Sequence, residues 1–133
     1  MQSAFALAQR PTVEILARIR EGLPASMFEQ VAATLGLSAS TLAKKLGIAR
    51  RTLVRKQGKG IALSAEDSEK VLRVARVYNL ARALFSSNQA VSQWLSKPDE
   101  ALGRNAPIDL LDTDLGGREV ETLLQALIHG QFV

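Results

Sequence analysis

The chain has 133 residues, with 17 Lys and Arg against 13 Asp and Glu, and no cysteine. That length holds one domain or two small helical modules sharing a core, and 47% hydrophobic with 23% charged residues is a globular balance, not a disordered or fibrous one. The lack of cysteine excludes a disulfide framework, cysteine-ligated zinc and thiol catalysis, and no apolar run approaches the roughly 20 residues of a membrane-spanning helix.

The opening residues Met1 to Ala8 have neither the basic lead nor the apolar length of a secretory signal, so a cytoplasmic protein without membrane contact is expected. Alternation of period two never persists, whereas helical spacing recurs, and the expected fold class is all-α. Thr12 is expected to cap a first short helix carrying Val13, Leu16, Ala17 and Ile19, ended by Gly22 and Pro24. Phe28, Val31, Ala32 and Leu35 predict a second, stopped at Gly36. Ser38 opens a third with Leu42, Ala43 and Leu46, closed by Gly47, and a fourth of about residues 49–56 follows at once, terminated by the run from Gln57 to Gly60.

Ser64 ahead of Glu66 and Asp67 reads as a capping-box-like start with acids in the first turn. The helix it begins carries Val71, Leu72, Val74, Ala75, Tyr78, Leu80, Ala81 and Leu84 to about Phe85, and is expected to form the central core element. Ser86 to Asn88 break it; Ala90, Val91, Trp94 and Leu95 form the next helix, closed by Pro98. Short turns are expected over 97–115, then a final helix lined by Val120, Leu123, Leu124, Leu127 and Ile128 up to Gly130. The chain divides at this level into a helix-turn-helix region, 1–62, and a C-terminal helical region, 63–133.

Charge is unevenly placed. Residues 1–59 carry ten Lys and Arg against three acids, a net +7, and residues 97–133 carry three against seven, a net −4. Between Glu29 and Glu66 there is no acid, yet seven Lys and Arg lie there, the footprint of a polyanion-binding surface. Within that block, the segment from Leu42 to Leu53 has the features of a helix-turn-helix. Ala43 is small enough for a second helix to pack across it, Gly47 four residues on tolerates positive φ, and Leu42, Leu46, Ile48 and Leu53 brace the angle. The second helix is short and basic, as a major-groove recognition helix is. Arg50 and Arg51 are placed for guanine, Thr52 for a phosphate or a thymine methyl, and Arg55 shares the face of Arg51. Lys44, Lys45, Lys56 and Lys59 suit phosphates. Lys56 departs from the usual pattern, standing where an apolar brace is common. A homodimer on operator DNA is expected, since two-fold proteins read paired half-sites.

Catalytic readings find no support. Glu66, Asp67 and Glu69 sit where a helix macrodipole favours acids, and His129 is the only histidine. Gly58-Lys59-Gly60 is too short for a phosphate loop, and Gly116-Gly117-Arg118 follows no strand. No cofactor or metal is expected, and no enzyme.

One wider pattern runs through the chain: Leu46-Gly47-Ile48, Arg51-Thr52-Leu53, Leu63-Ser64 before a long helix, Trp94-Leu95 before Pro98, Ala101-Leu102-Gly103, Pro107 to Thr113, a glycine at 116 or 117, Val120, Leu123-Leu124 and His129 to Phe132. In this order it resembles the Xre/MbcA/ParS antitoxin family over residues 24–133. Ala126 and Ile128 depart from it, standing where the family often carries charge. The resemblance implies an Xre-type DNA-binding domain repressing its own operon, followed by a domain that neutralises a RES-domain toxin acting on NAD. For contact with that toxin the candidates are Leu102, Arg104, Pro107, Asp109, Gly130 and Phe132, the last as an aromatic anchor, within an acidic segment suited to a basic cleft. The alternative is a stand-alone regulator whose C-terminal half dimerises or senses a ligand.

Overall fold

The computed structural model describes residues 2–130. It contains eight α-helices: α1 (Ala4–Leu7), α2 (Thr12–Glu21), α3 (Ala25–Thr34), α4 (Ala39–Leu46), α5 (Arg50–Lys59), α6 (Ala65–Arg82), α7 (Asn88–Ser96) and α8 (Asp114–Ile128). Two 3-10 turns, Glu100–Leu102 and Pro107–Leu110, separate α7 from α8. Among the described residues there is no strand, only an isolated antiparallel bridge between Asp99 and Asn105. The fold is all-α.

Local chemistry sets most helix starts. Ser38, Ser64, Ser87 and Thr113 each accept a hydrogen bond from a backbone N–H of the first turn they precede, satisfying one of the donors a helix leaves orphaned. Thr12 does not cap α2: it is the first helical residue, and Pro11 takes the cap position without a side-chain bond. The fixed φ of proline already presets the chain there, so the hydroxyl is not required.

Helix α6 is the axis of the molecule. Val71, Leu72, Val74, Ala75, Val77, Tyr78 and Ala81 are all buried, on almost every side of the helix, because α1, α2, α3, α7 and α8 all pack on it. A single hydrophobic core runs from Ala4 to Leu124. It includes Leu23, Phe28, Leu42, Leu46, Leu95, Leu111 and Val120, residues from both halves of the sequence. Ser68, fully buried on α6, accepts the Leu23 N–H at 2.8 Å, and the Leu23 carbonyl accepts the Leu63 N–H at 2.8 Å. Both backbone groups of Leu23 are thereby satisfied inside the core, and the chain entering α3 is pinned to the start of α6.

Aromatic residues close the far end. Tyr78 packs on Phe5 at 4.6 Å between ring centroids, and the Tyr78 hydroxyl donates to Asn88. Trp94 is half buried against Phe85 at 6.1 Å. The one long helix without a buried residue is α2, whose Ile15 and Ile19 rest on the core rim while Val13 and Leu16 face outward. No helix among the described residues is long and apolar enough to cross a membrane.

Candidate functional site

The turn between α4 and α5 is built by the sequence pattern that announces it. Gly47 adopts φ 70°, a left-handed conformation that L side chains rarely hold. The Ile48 N–H donates to the Ala43 carbonyl at 2.9 Å and the Gly47 N–H to the Lys44 carbonyl at 3.3 Å, the paired bonds of a Schellman cap. Ala43 is buried where α5 crosses, and Leu42, Leu46, Ile48 and Leu53 are buried as braces. The result is two short helices joined by a tight turn, the second packed on α3 and α4 through Leu53.

Helix α5 extends to Lys59, beyond the end expected near 56, passing through Gly58 and stopping at the left-handed Gly60. Only Leu53 on it is buried. At 100° per residue, Arg51, Arg55 and Gly58 fall on the face opposite to Leu53, while Val54 lies on the flank, about 100° from Leu53 and about 60° from Arg51. Arg50, Arg51, Arg55 and Lys59 are exposed, as is Lys44 on α4. Among the described residues none of these five has an acidic partner, so the face carries uncompensated positive charge. Thr52, Lys56 and Lys45 are half buried. Lys56 borders a small cleft with Pro24 and Ile61, half buried at the position where an apolar brace is common. Lys45 turns the other way and donates to Asp109 at 2.5 Å.

The C-terminal candidates do not form one exposed patch. Leu102 and Pro107 are buried and support the 3-10 turns from within. Arg104 and Asp109 are exposed. Arg104 has φ 67°, directly after Gly103 at φ 66°, the one non-glycine residue in the left-handed region among those described. Gly130 is exposed past the end of α8, and Phe132 lies outside the described residues. Around this segment Asp112, Asp114 and Glu119 are exposed, with Leu115 71% exposed among them.

Arg73 has a structural role that sequence reading passes over. It is 4% exposed, donates through Nη1 to the Leu111 carbonyl at 2.8 Å and through Nη2 to Glu69 at 3.3 Å, and so ties α6 to the chain entering α8. The signal available was an arginine inside the apolar run from Val71 to Ala75. Gly117 exists for this side chain: a Cβ there would lie 2.7 Å from Arg73 Cδ. At Gly116 a Cβ would lie 2.0 Å from the Leu110 carbonyl oxygen. The glycine pair therefore lets α8 press onto both the turn and the buried guanidinium. Arg76 adds an ion pair to Glu121 on α8 at 3.2 Å.

Comparison with known proteins matches both halves. Residues 14–76 match the antitoxin Xre-like helix-turn-helix domain, and residues 80–130 the antitoxin Xre/MbcA/ParS C-terminal toxin-binding domain. The chain is 29% identical to Antitoxin Xre of Yersinia enterocolitica over 126 residues, 94% of this chain and 84% of the relative. It is 30% identical to Prs ADP-ribosylating antitoxin of Sphingobium sp. over 136 aligned positions, 96% of this chain and 86% of the relative. Antitoxin Xre of Photorhabdus laumondii is 29% identical over 114 residues, 84% of this chain and 76% of that one.

Proposed function

We propose, from the premise that the chain belongs to the Xre/MbcA/ParS antitoxin family, with a helix-turn-helix domain ahead of a toxin-binding domain, that it neutralises a RES-domain toxin and represses its own operon. The observation that carries the repressor half is the unpaired basic face of α5 beside a capped Gly47 turn. Arg50, Arg51 and Arg55 read bases, with Thr52 beside them; Lys44, Lys56 and Lys59 hold phosphates and make the affinity salt-dependent, and Lys45 joins them where it is released from Asp109. A homodimer supplies two such helices to a two-fold site; the DNA contacts fall within residues 1–62 and the toxin contacts within 63–133.

The toxin half is supported by the acidic surface around the 3-10 turns. Arg104, Asp109 and Gly130 make direct contact with the toxin, together with Phe132, while Leu102 and Pro107 hold the turn in shape. A relative whose name includes ADP-ribosylating supports a toxin that uses NAD, the donor in that chemistry.

Co-expression tests the reading. Cells expressing the toxin encoded beside this chain should regain growth when it is supplied, and the two proteins should co-purify. Replacing Arg50 and Arg51 by alanine should weaken operator binding by at least about tenfold, two base contacts being lost, and leave rescue intact. No rescue and no complex, with operator binding preserved, would leave a stand-alone regulator.

A further inference from the structure

We propose that Val54 reads the 5-methyl group of thymine in the major groove, a specificity contact separate from those of the arginines around it; this rests on the DNA-binding reading above. Val54 is 59% exposed on a helix whose only buried residue is Leu53. It edges a cleft of about 90 Å³ with Phe28, Leu53 and Gln57, yet that contact leaves most of the side chain in water. Folding does not call for it: valine is a weaker helix former than alanine, and its branched Cβ loses rotamer freedom in a helix.

Its position and its chemistry point the same way. Val54 is one turn after Arg51 and one turn before Gly58, within about 60° of each around the helix, and so stands at the edge of the outward face that Arg51 and Arg55 occupy. A Cβ at Gly58 would meet nothing within 4 Å, so no protein atom crowds that side of the face. Among base edges in the major groove, adenine, guanine and cytosine present donors and acceptors, while thymine adds a methyl group. Val54 has neither donor nor acceptor and so has nothing to offer a phosphate or a guanine edge. Set among arginines that satisfy those groups, it is matched to the apolar feature that remains.

The test uses the full chain and its Val54→Ala variant, whose helix content by circular dichroism should be unchanged because the residue is exposed. Duplexes with a random core of about 20 base pairs, two helical turns, are enriched separately on each protein. The unaltered protein should enrich a site with a fixed thymine, and Val54→Ala should lose preference at that position alone. Replacing that thymine by deoxyuridine should weaken the unaltered protein about fourfold, the worth of one methyl removed from water, and leave the variant unaffected. If both proteins select the same bases and tolerate deoxyuridine equally, the inference is overturned while DNA binding stands. Loss of self-association or of toxin binding in the variant, with DNA selection unchanged, would also overturn it and make Val54 a protein contact. Failure of the unaltered protein to enrich any sequence would remove the DNA-binding reading, and this inference with it.

Discussion

Lys45 Nζ and Asp109 Oδ1 stand 2.5 Å apart, joining α4 to the turn ahead of α8. The lysine belongs to the candidate DNA face and the aspartate to the candidate toxin surface, so each surface carries one half of a shared pair. Both side chains are more than a third exposed, so breaking the pair should change stability by less than about 1 kcal/mol. Its effect should fall on DNA binding instead. Asp109→Asn removes the neutralising charge, and the plot of log affinity against log salt should steepen by up to about 0.9. Fluorescence anisotropy over a salt series checks this; an unchanged slope would place Lys45 away from phosphate.

Ser68 holds the buried N–H of Leu23. Ser68→Ala should cost about 1–3 kcal/mol by leaving that donor without a partner. Urea denaturation measures it, and Ser64→Ala provides the scale, since loss of an exposed helix cap costs about 1 kcal/mol.

The glycine pair should separate by the rigidity of what each one touches. Gly116→Ala drives a Cβ into a backbone carbonyl and should destabilise by about 3 kcal/mol or more. Gly117→Ala displaces the Arg73 side chain, which can shift, and should cost about 1–2 kcal/mol. Equal losses would mean that Arg73 is held as firmly as backbone.

Arg104 occupies a conformation that costs an L residue roughly 1–2 kcal/mol. Arg104→Gly should therefore raise stability by up to about 1 kcal/mol once glycine's greater unfolded-state freedom is counted. Should the arginine contact the toxin, the same variant would be the more stable antitoxin and the weaker inhibitor, a split readable from thermal unfolding beside growth rescue.

Features governed by local chemistry were legible in the sequence. Ser38, Gly47 and Ser64 act through neighbours within five residues, and helix-period apolar spacing located α3, α4, α6, α7 and α8. Features governed by distant partners were not. The four residues of α1 have no periodicity of their own and are held by burial of Ala4 and Leu7 and by the Asn79 side chain donating to the Phe5 carbonyl. Gly58 reads as a stop, yet α5 runs through it to Gly60. For the candidate sites, the basic face of α5 follows from helical spacing, whereas the burial of Leu102 and Pro107 depends on how the 3-10 turns fold back onto the core. The carboxylate that pairs with Lys45 and the Leu111 carbonyl that accepts from Arg73 lie 64 and 38 residues away, beyond the reach of any spacing rule.

The two family-matched regions meet at residues 77–79, inside α6 and not at a linker. A chain without a seam there unfolds as one cooperative unit. A protease gaining entry through either half would therefore dismantle both, and under the proposed function one degradation event would relieve the promoter and release the toxin together. The lifetime of this single fold, set by its opening equilibrium, would then time both events.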